Sequence, residues 1–357
     1  MTRSARVLGV GAACPLGLTT RAAFAAVEAG IRRFVEIDGV FDLAGEPARG
    51  CRLQSLAGED PFERALWFAR RAAAQALRAL AYGRPEPVPV FVAVPAVAHE
   101  AGRSRRLKEV LTEVTPPAAG LRWTPRSLLA DGRASGAVAL AAALHELHDG
   151  APRVLVGGLD CLVAGDALRE LSRHNRLLGR RNCDGRLPGE GAAFLLLGRA
   201  SEQTGSPALG VVEAVVCAQE PAPFAGESAS RAAGLTEVLA DLREHWPRRV
   251  DEVVAAQSNE RFFATELSTA YLRNVELMPE PMRVRALADA LGDCGASAFP
   301  LGLAWALDDF DLRARWRGSL ASAVVLSSSD AGTVGGALVT AATGESRAVR
   351  RSGAGSS

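Results

Sequence analysis

The stretch Asn182–Leu197, NCDGRLPGEGAAFLLL, decides how this chain is read. Gly185, Pro188, Gly189 and Gly191 punctuate its first part, as in a loop held close to its surroundings. Ala192 to Leu197 then run without a charge, too short for a spanning helix. Such a run is a strand buried on both faces, the kind found in a parallel or mixed sheet covered by helices.

Working outward, the same alternation recurs. Upstream lie strands at RVLGVGA (6–12), VPVFVAVPA (88–96) and APRVLVGGLDCLV (151–163). Between them are helices at TRAAFAAVEAG (20–30), closed by Gly30, at PFERALWFARRAAAQALRAL (61–80), whose arginines are assigned to solvent, and at SGAVALAAALHELHDG (135–150). Downstream the pattern restarts with a strand at 208–220, a helix at 230–246 and a strand at 250–258. A small-residue turn then feeds a buried helix at 293–310, and two strands share a Ser/Gly turn over 322–342. Alternating strands and helices predict an α/β fold. Each half carries a Gly/Ala-rich turn, a buried Ala/Leu helix and closing strands, so the chain reads as an internal duplication. The lobes are placed at 1–204 and 205–344, with a disordered tail at 345–357.

Bulk properties exclude several classes. Of 357 residues, 48% are hydrophobic and 23% charged, and the net charge is +1, which leaves no excess charge to attract nucleic acid. No apolar run reaches the roughly 18 residues of a membrane span. The first residues, MTRSARVLGVGAACPLG, read as a strand and turn rather than a signal peptide, so a cytoplasmic protein is expected. The six cysteines, Cys14, Cys51, Cys161, Cys183, Cys217 and Cys294, show no C-x-x-C pair and read as reduced thiols. GVGAAC at 9–14 is not a dinucleotide loop: Cys14 replaces the third glycine and Pro15 interrupts the helix. No cofactor and no metal is expected.

The chain resembles the β-ketoacyl synthases of the thiolase superfamily. Asp184, Gly185, Gly189, Glu190, Gly191 and Ala192 match that family's Asp-Gly-(x)3-Gly-Glu-Gly-Ala run. VLGVGAACPLG, VLVGGLDCLV, ALGDCGASAF and SSSDAGTVGGALV are similar to its other motifs, in order along the chain. The resemblance implies a five-layer αβαβα fold of two pseudo-symmetric lobes, and a homodimer or heterodimer with a ketosynthase-like protein. It also implies acyl transfer to a cysteine followed by decarboxylative condensation, with two histidines assisting.

None of the three reactive groups is present. Aligning Ser135–Gly136 with the family's Ser-Gly puts Arg133 at the cysteine position, and a guanidinium has no usable lone pair. Ser258 and Asn259 stand where the first histidine is implied, and Asp293 where the second is. A carboxylate there would repel a developing enolate. The histidines are His99, His145, His148, His174 and His245, so none lies in the later part of the second lobe; His145 and His148 read as surface or capping residues. The lysine that the family carries before its second histidine is missing from RALADAL.

Buried, Arg133 would need Asp293 or Asp131 as partner; a bound anion and simple exposure are the other readings. Ser135, Cys14 and Cys294 are the possible substitute nucleophiles. Asp184, Gly189 and Glu190 read as organisers of the loop beneath the site. The basic segment 96–126 reads as a solvated helix face, with an acidic acyl carrier protein as the alternative partner. The expectation is a ketosynthase-like pseudoenzyme acting as partner subunit, scaffold or adaptor. The alternatives are an acyltransferase with a relocated nucleophile, and a sensor that binds an acyl group without reaction.

Overall fold

The computed structural model describes residues 4–80, 86–117, 119–200, 208–316 and 322–342. The join at 204/205 and the tail at 345–357 lie outside the described residues. The first half runs β1 (Ala5–Ala13), α1 (Thr20–Glu28), β2 (Phe34–Phe41), β3 (Pro47–Cys51), α2 (Pro61–Ala76), β4 (Glu86–Ala93), α3 (Ala101–Glu113), β5 (Ala119–Arg122), β6 (Leu128–Leu129), α4 (Ser135–His148), β7 (Arg153–Cys161), α5 (Gly165–Arg173) and β8 (Glu190–Arg199). The second runs β9 (Gly210–Gln219), α6 (Ala233–His245), β10 (Glu252–Ala255), α7 (Arg261–Arg273), β11 (Val284–Ala286), α8 (Ala288–Leu291), α9 (Ala298–Trp316), β12 (Ser322–Ser328) and β13 (Thr333–Ala341).

The duplication is visible in the sheet order. The first half reads β5-β4-β7-β8-β1 and the second β11-β10-β12-β13-β9. With β5 and β6 both pairing with β4 as one split third strand, each half has the order third, second, fourth, fifth, first. Strand directions match as well: β4 is parallel to β5 and β7 as β10 is to β11 and β12, and the remaining pairs are antiparallel. β1 and β9 join the halves by a short antiparallel ladder, Ala5 opposite Val212 and Val7 opposite Gly210.

Helices form the other layers. α2 packs on β1, β7 and β8 from outside, and α6 packs on β9 and β13 from the opposite side. α4 and α9 touch strands of both halves and each other, so they fill the middle. That middle is where small residues matter. A side chain at Gly136 would come within 2.5 Å of Pro300 Cδ, so only hydrogen at that position allows α4 and α9 to pack so closely. The alternation predicted from sequence and the five layers agree, and the reason is local: β8 is buried at every position except its last.

The arginines of α2 are a partial correction. Arg64 does not face solvent; it is 2% exposed. Its Nε and Nη2 donate to Glu190 Oε2 and Oε1 at 2.8 and 2.7 Å, which is what permits a guanidinium on the buried stripe of an amphipathic helix.

Candidate functional site

The two central helices begin alike. A single 3-10 turn, Gly132–Ala134, leads into α4, and another, Gly295–Ser297, leads into α9. Gly132 and Gly295 open them at φ +70° and +53°, a left-handed conformation that glycine adopts without steric cost. A Cβ on Gly295 would also lie 2.1 Å from Asp160 Oδ2.

The polar groups of the first turn are satisfied internally. Ser135 Oγ accepts from the Asp131 N–H at 2.6 Å and donates to the Gly132 carbonyl at 2.7 Å. Ser329 Oγ accepts from the Ala134 N–H at 2.9 Å and donates to the Asp131 carbonyl. Ser135 is fully buried, and its hydroxyl proton goes to the Gly132 carbonyl, so the group serves the turn.

Arg133 points from this turn into the interior and is 4% exposed. Its Nε donates to the Ser328 carbonyl at 2.9 Å, its Nη1 to Asp293 Oδ2 at 2.9 Å, and its Nη2 to Asp330 Oδ1. Of the two partners the sequence offered, the structure places Asp293 and not Asp131 in contact. Asp293 Oδ2 also receives Arg186 Nη1 at 2.7 Å, and its Oδ1 receives the Gly295 N–H at 2.9 Å. Arg176 grips Glu260 with two nitrogens, at 2.9 and 2.7 Å, and donates to Asp330 Oδ2. Arg186 completes the set, 3.0 Å from Glu260 Oε2 and 3.1 Å from Asp330 Oδ2.

The result is a charge-balanced cluster: Arg133, Arg176 and Arg186 against Glu260, Asp293 and Asp330. Every cation comes from the first half and every carboxylate from the second. Arg176 and Arg186 lie on the segment between α5 and β8, Glu260 immediately precedes α7, Asp293 precedes α9, and Asp330 sits in the β12–β13 turn. Burial alone would weaken Arg133 as a cation, but the charges of Asp293 and Asp330 more than restore it. Burial would likewise raise Asp330, yet Arg133 and Arg176 hold its carboxyl below the ordinary range.

The remaining sequence candidates fall around this cluster. Ser258 Oγ donates to Glu260 Oε2 at 2.9 Å. Asn259 clamps the loop of the opening stretch, accepting from the Leu187 N–H at 3.2 Å and donating to the Gly185 carbonyl at 2.8 Å. Asp184 accepts from the first N–H of α7, at Arg261. Gly189 donates its N–H to the Asp293 carbonyl at 2.8 Å. Glu190 lies apart from the cluster, fully buried on Arg64.

Cys14 and Cys294 are fully buried. Burial pushes the Cys14 thiol up to about 11 and the Cys294 thiol well above its ordinary value, the opposite of an activated nucleophile. All five histidines are exposed, so no imidazole enters the site. Among the described residues no group of His, Cys, Asp and Glu side chains could hold a metal ion. Nor is any helix among them long and apolar enough to cross a membrane.

Sequence reasoning did not single out Arg176, Arg186, Glu260 or Asp330. Arg186 lay inside the opening stretch between Asp184 and Glu190, and Asp330 was a single charge inside SSSDAG. That is a weak signal, because only the fold brings these loops together.

Asp160 lies beneath the second turn. It accepts from the Ala296 and Cys161 N–H groups at 2.9 and 2.8 Å, and burial, helped by the charge of Asp293, raises it to about 7. The unfolded value is about 3.9. Between these values the native state holds the extra proton, so this group makes stability fall as pH rises toward 7. Glu266 and Asp309, both raised to about 7 chiefly by burial, act in the same direction. The urea midpoint of Asp160→Asn is expected to drop less between pH 5 and pH 8 than that of the wild type. Equal drops would show that Asp160 does not titrate in this window.

No family profile and no curated protein matches this chain by sequence. Solved structures do match it by shape. The ishigamide ketosynthase/chain length factor superposes with a TM-score of 0.72 at 19% identity, covering 95% of this chain and 100% of that one. A type II PKS acyl-carrier protein in complex with its ketosynthase bound to the hexaketide gives 0.74 at 12%, covering 96% and 100%. A β-ketoacyl synthase from Burkholderia phymatum gives 0.73 at 15%, again over 96% and 100%. The fold is therefore the thiolase-like fold of the ketosynthases. At such identities the likeness carries the architecture alone, and activity has to be argued from the side chains.

Proposed function

We propose that this chain is a ketosynthase-fold protein without condensing activity, acting as a partner subunit, scaffold or adaptor. The observation that carries this reading is the Arg/carboxylate cluster, which occupies the space between the two central turns. Condensation needs a thiolate at the start of α4 and hydrogen-bond donors that stabilise a developing enolate. Here a guanidinium stands at the first position and a carboxylate at the second, and they neutralise each other. The reading takes 1–204 and 205–344 as the two lobes. A dimer with itself or with a ketosynthase-like protein is supported by the similarity to a ketosynthase/chain length factor. An acyl carrier protein is the further candidate partner, supported by the similarity to a ketosynthase held in such a complex. The reading also takes the setting as cytoplasmic, where a reducing compartment keeps cysteines as thiols.

The test is chemical. Purified protein is incubated with acyl and malonyl thioesters, then thiol release and intact mass are followed. No adduct is expected on Ser135, Cys14 or Cys294, and no thiol is released. Release of thiol together with a lengthened acyl chain would overturn the proposal, and an adduct on one of these residues would establish the relocated nucleophile instead. Complex formation is read separately, by light scattering of the protein alone and after co-expression with a ketosynthase-like subunit.

A further inference from the structure

We propose that Arg133, Arg176 and Arg186 form a carboxylate-binding site which the chain's own Asp330 occupies, and that a small organic carboxylate can take its place. The inference rests on the non-catalytic reading, since it treats the pocket as one that binds without turnover.

The geometry around Asp330 is that of a bound ligand rather than of an ordinary ion pair. Three guanidiniums converge on one carboxylate: Arg133 on Oδ1, Arg176 on Oδ2, and Arg186 on both, at 3.5 and 3.1 Å. Each guanidinium gives one nitrogen to the carboxylate, so both oxygens are charge-paired, and another carboxylate can accept the same donors.

Asp330 is also the member able to leave. Its side chain is 34% exposed, against 18% for Arg176 and 5% or less for the other four. The main chain of its turn is fixed independently. The Ser329 N–H donates to the Thr333 carbonyl at 2.8 Å, and the Ala225 N–H to the Asp330 carbonyl at 2.9 Å. Rotation about χ1 can therefore carry the carboxylate out to solvent while the turn stays in place.

What remains is prepared for an anion. Without Asp330, three cations face Glu260 and Asp293, an excess of one positive charge that one carboxylate neutralises. Two of the cations keep an apolar support. Arg176 lies 4.1 Å over the Phe224 ring and Arg133 4.3 Å over Phe263, and those rings stack 5.6 Å apart at 21°. Cation–π contact of this kind orients a guanidinium whether or not an anion is present.

An internal ligand lowers apparent affinity by the fraction of time the site is free. Removing it should therefore tighten binding. The experiment is calorimetric titration of the full chain with acetate, for wild type, Asp330→Ala and Asp330→Ala/Arg176→Gln. Asp330→Ala is expected to bind one acetate at least about tenfold more tightly than wild type, and the double variant to lose most of that gain. A folded Asp330→Ala that binds no better than wild type, or a gain that survives the loss of Arg176, overturns the proposal. If Asp330→Ala does not fold unaided, refolding is repeated with and without acetate. Rescue by acetate supports the site, and failure of rescue overturns it. These outcomes are independent of thioester turnover, so the carboxylate site and the non-catalytic reading can fail separately.

Discussion

Glu190→Gln is expected to lower the unfolding free energy by about 3–5 kcal/mol. Glu190 is fully buried and Arg64 nearly so. The pair is bidentate, and the Leu53 N–H adds a third donor to Glu190 at 2.8 Å. Arg64 spends its other protons on the Leu53, Leu56 and Gly58 carbonyls, so it stays anchored when its counter-ion is neutralised. Glutamine keeps the shape and loses the charge, while a guanidinium cannot shed its proton in response. The loss would be a large share of the 5–15 kcal/mol, roughly, that holds a domain together. Urea unfolding followed by circular dichroism measures it. The double variant Arg64→Met/Glu190→Gln should recover part of the loss, because no uncompensated charge is then left inside. A single-variant loss below about 1 kcal/mol would place this pair with ordinary surface ion pairs and refute the assignment.

The second large effect is expected at Asp293. Asp293→Ala should cost about 3 kcal/mol, the lower end of the range for breaking a buried pair. Two guanidiniums lose a shared carboxylate oxygen, at 2.9 Å from Arg133 and 2.7 Å from Arg186. Asp330 and Glu260 remain beside them, which tempers the loss relative to Glu190. The Gly295 N–H also loses its acceptor, so the turn into α9 loosens. Coupling decides the case. Arg133→Met/Asp293→Ala should cost clearly less than the two single changes added together. Strict additivity would mean that the two groups do not share an interaction energy. Because the cluster ties cations of one half to carboxylates of the other, the loss should be accompanied by faster amide exchange in both turns, at 132–134 and 295–297.

Much of the fold was legible in the residues. The uncharged run Ala192–Leu197 could satisfy its side chains only between helices, and β8 is buried along almost its whole length. The small-residue turns at 132 and 295 likewise announced close packing, and both lead into central helices. The hairpin β2–β3 was not read. β2 buries only Ile37 and shows no regular alternation, and β3 is five residues long with Pro47 and Gly50 in it, so periodicity gave little to find. Arg64 was misplaced because helical periodicity marks a face and not a partner. The carboxylate that allows an arginine on that face lies far along the chain, at Glu190.

The sequence by itself determined that no thiol begins α4 and that no histidine follows His245, since absence of a residue type needs no coordinates. It also determined the α/β layering, because period and apolar run length are local properties of the chain. Only the tertiary structure decided that Arg133, Arg176 and Arg186 meet Glu260, Asp293 and Asp330. Ion pairing depends on distance and on exclusion of water, and both are set when the two halves close on each other.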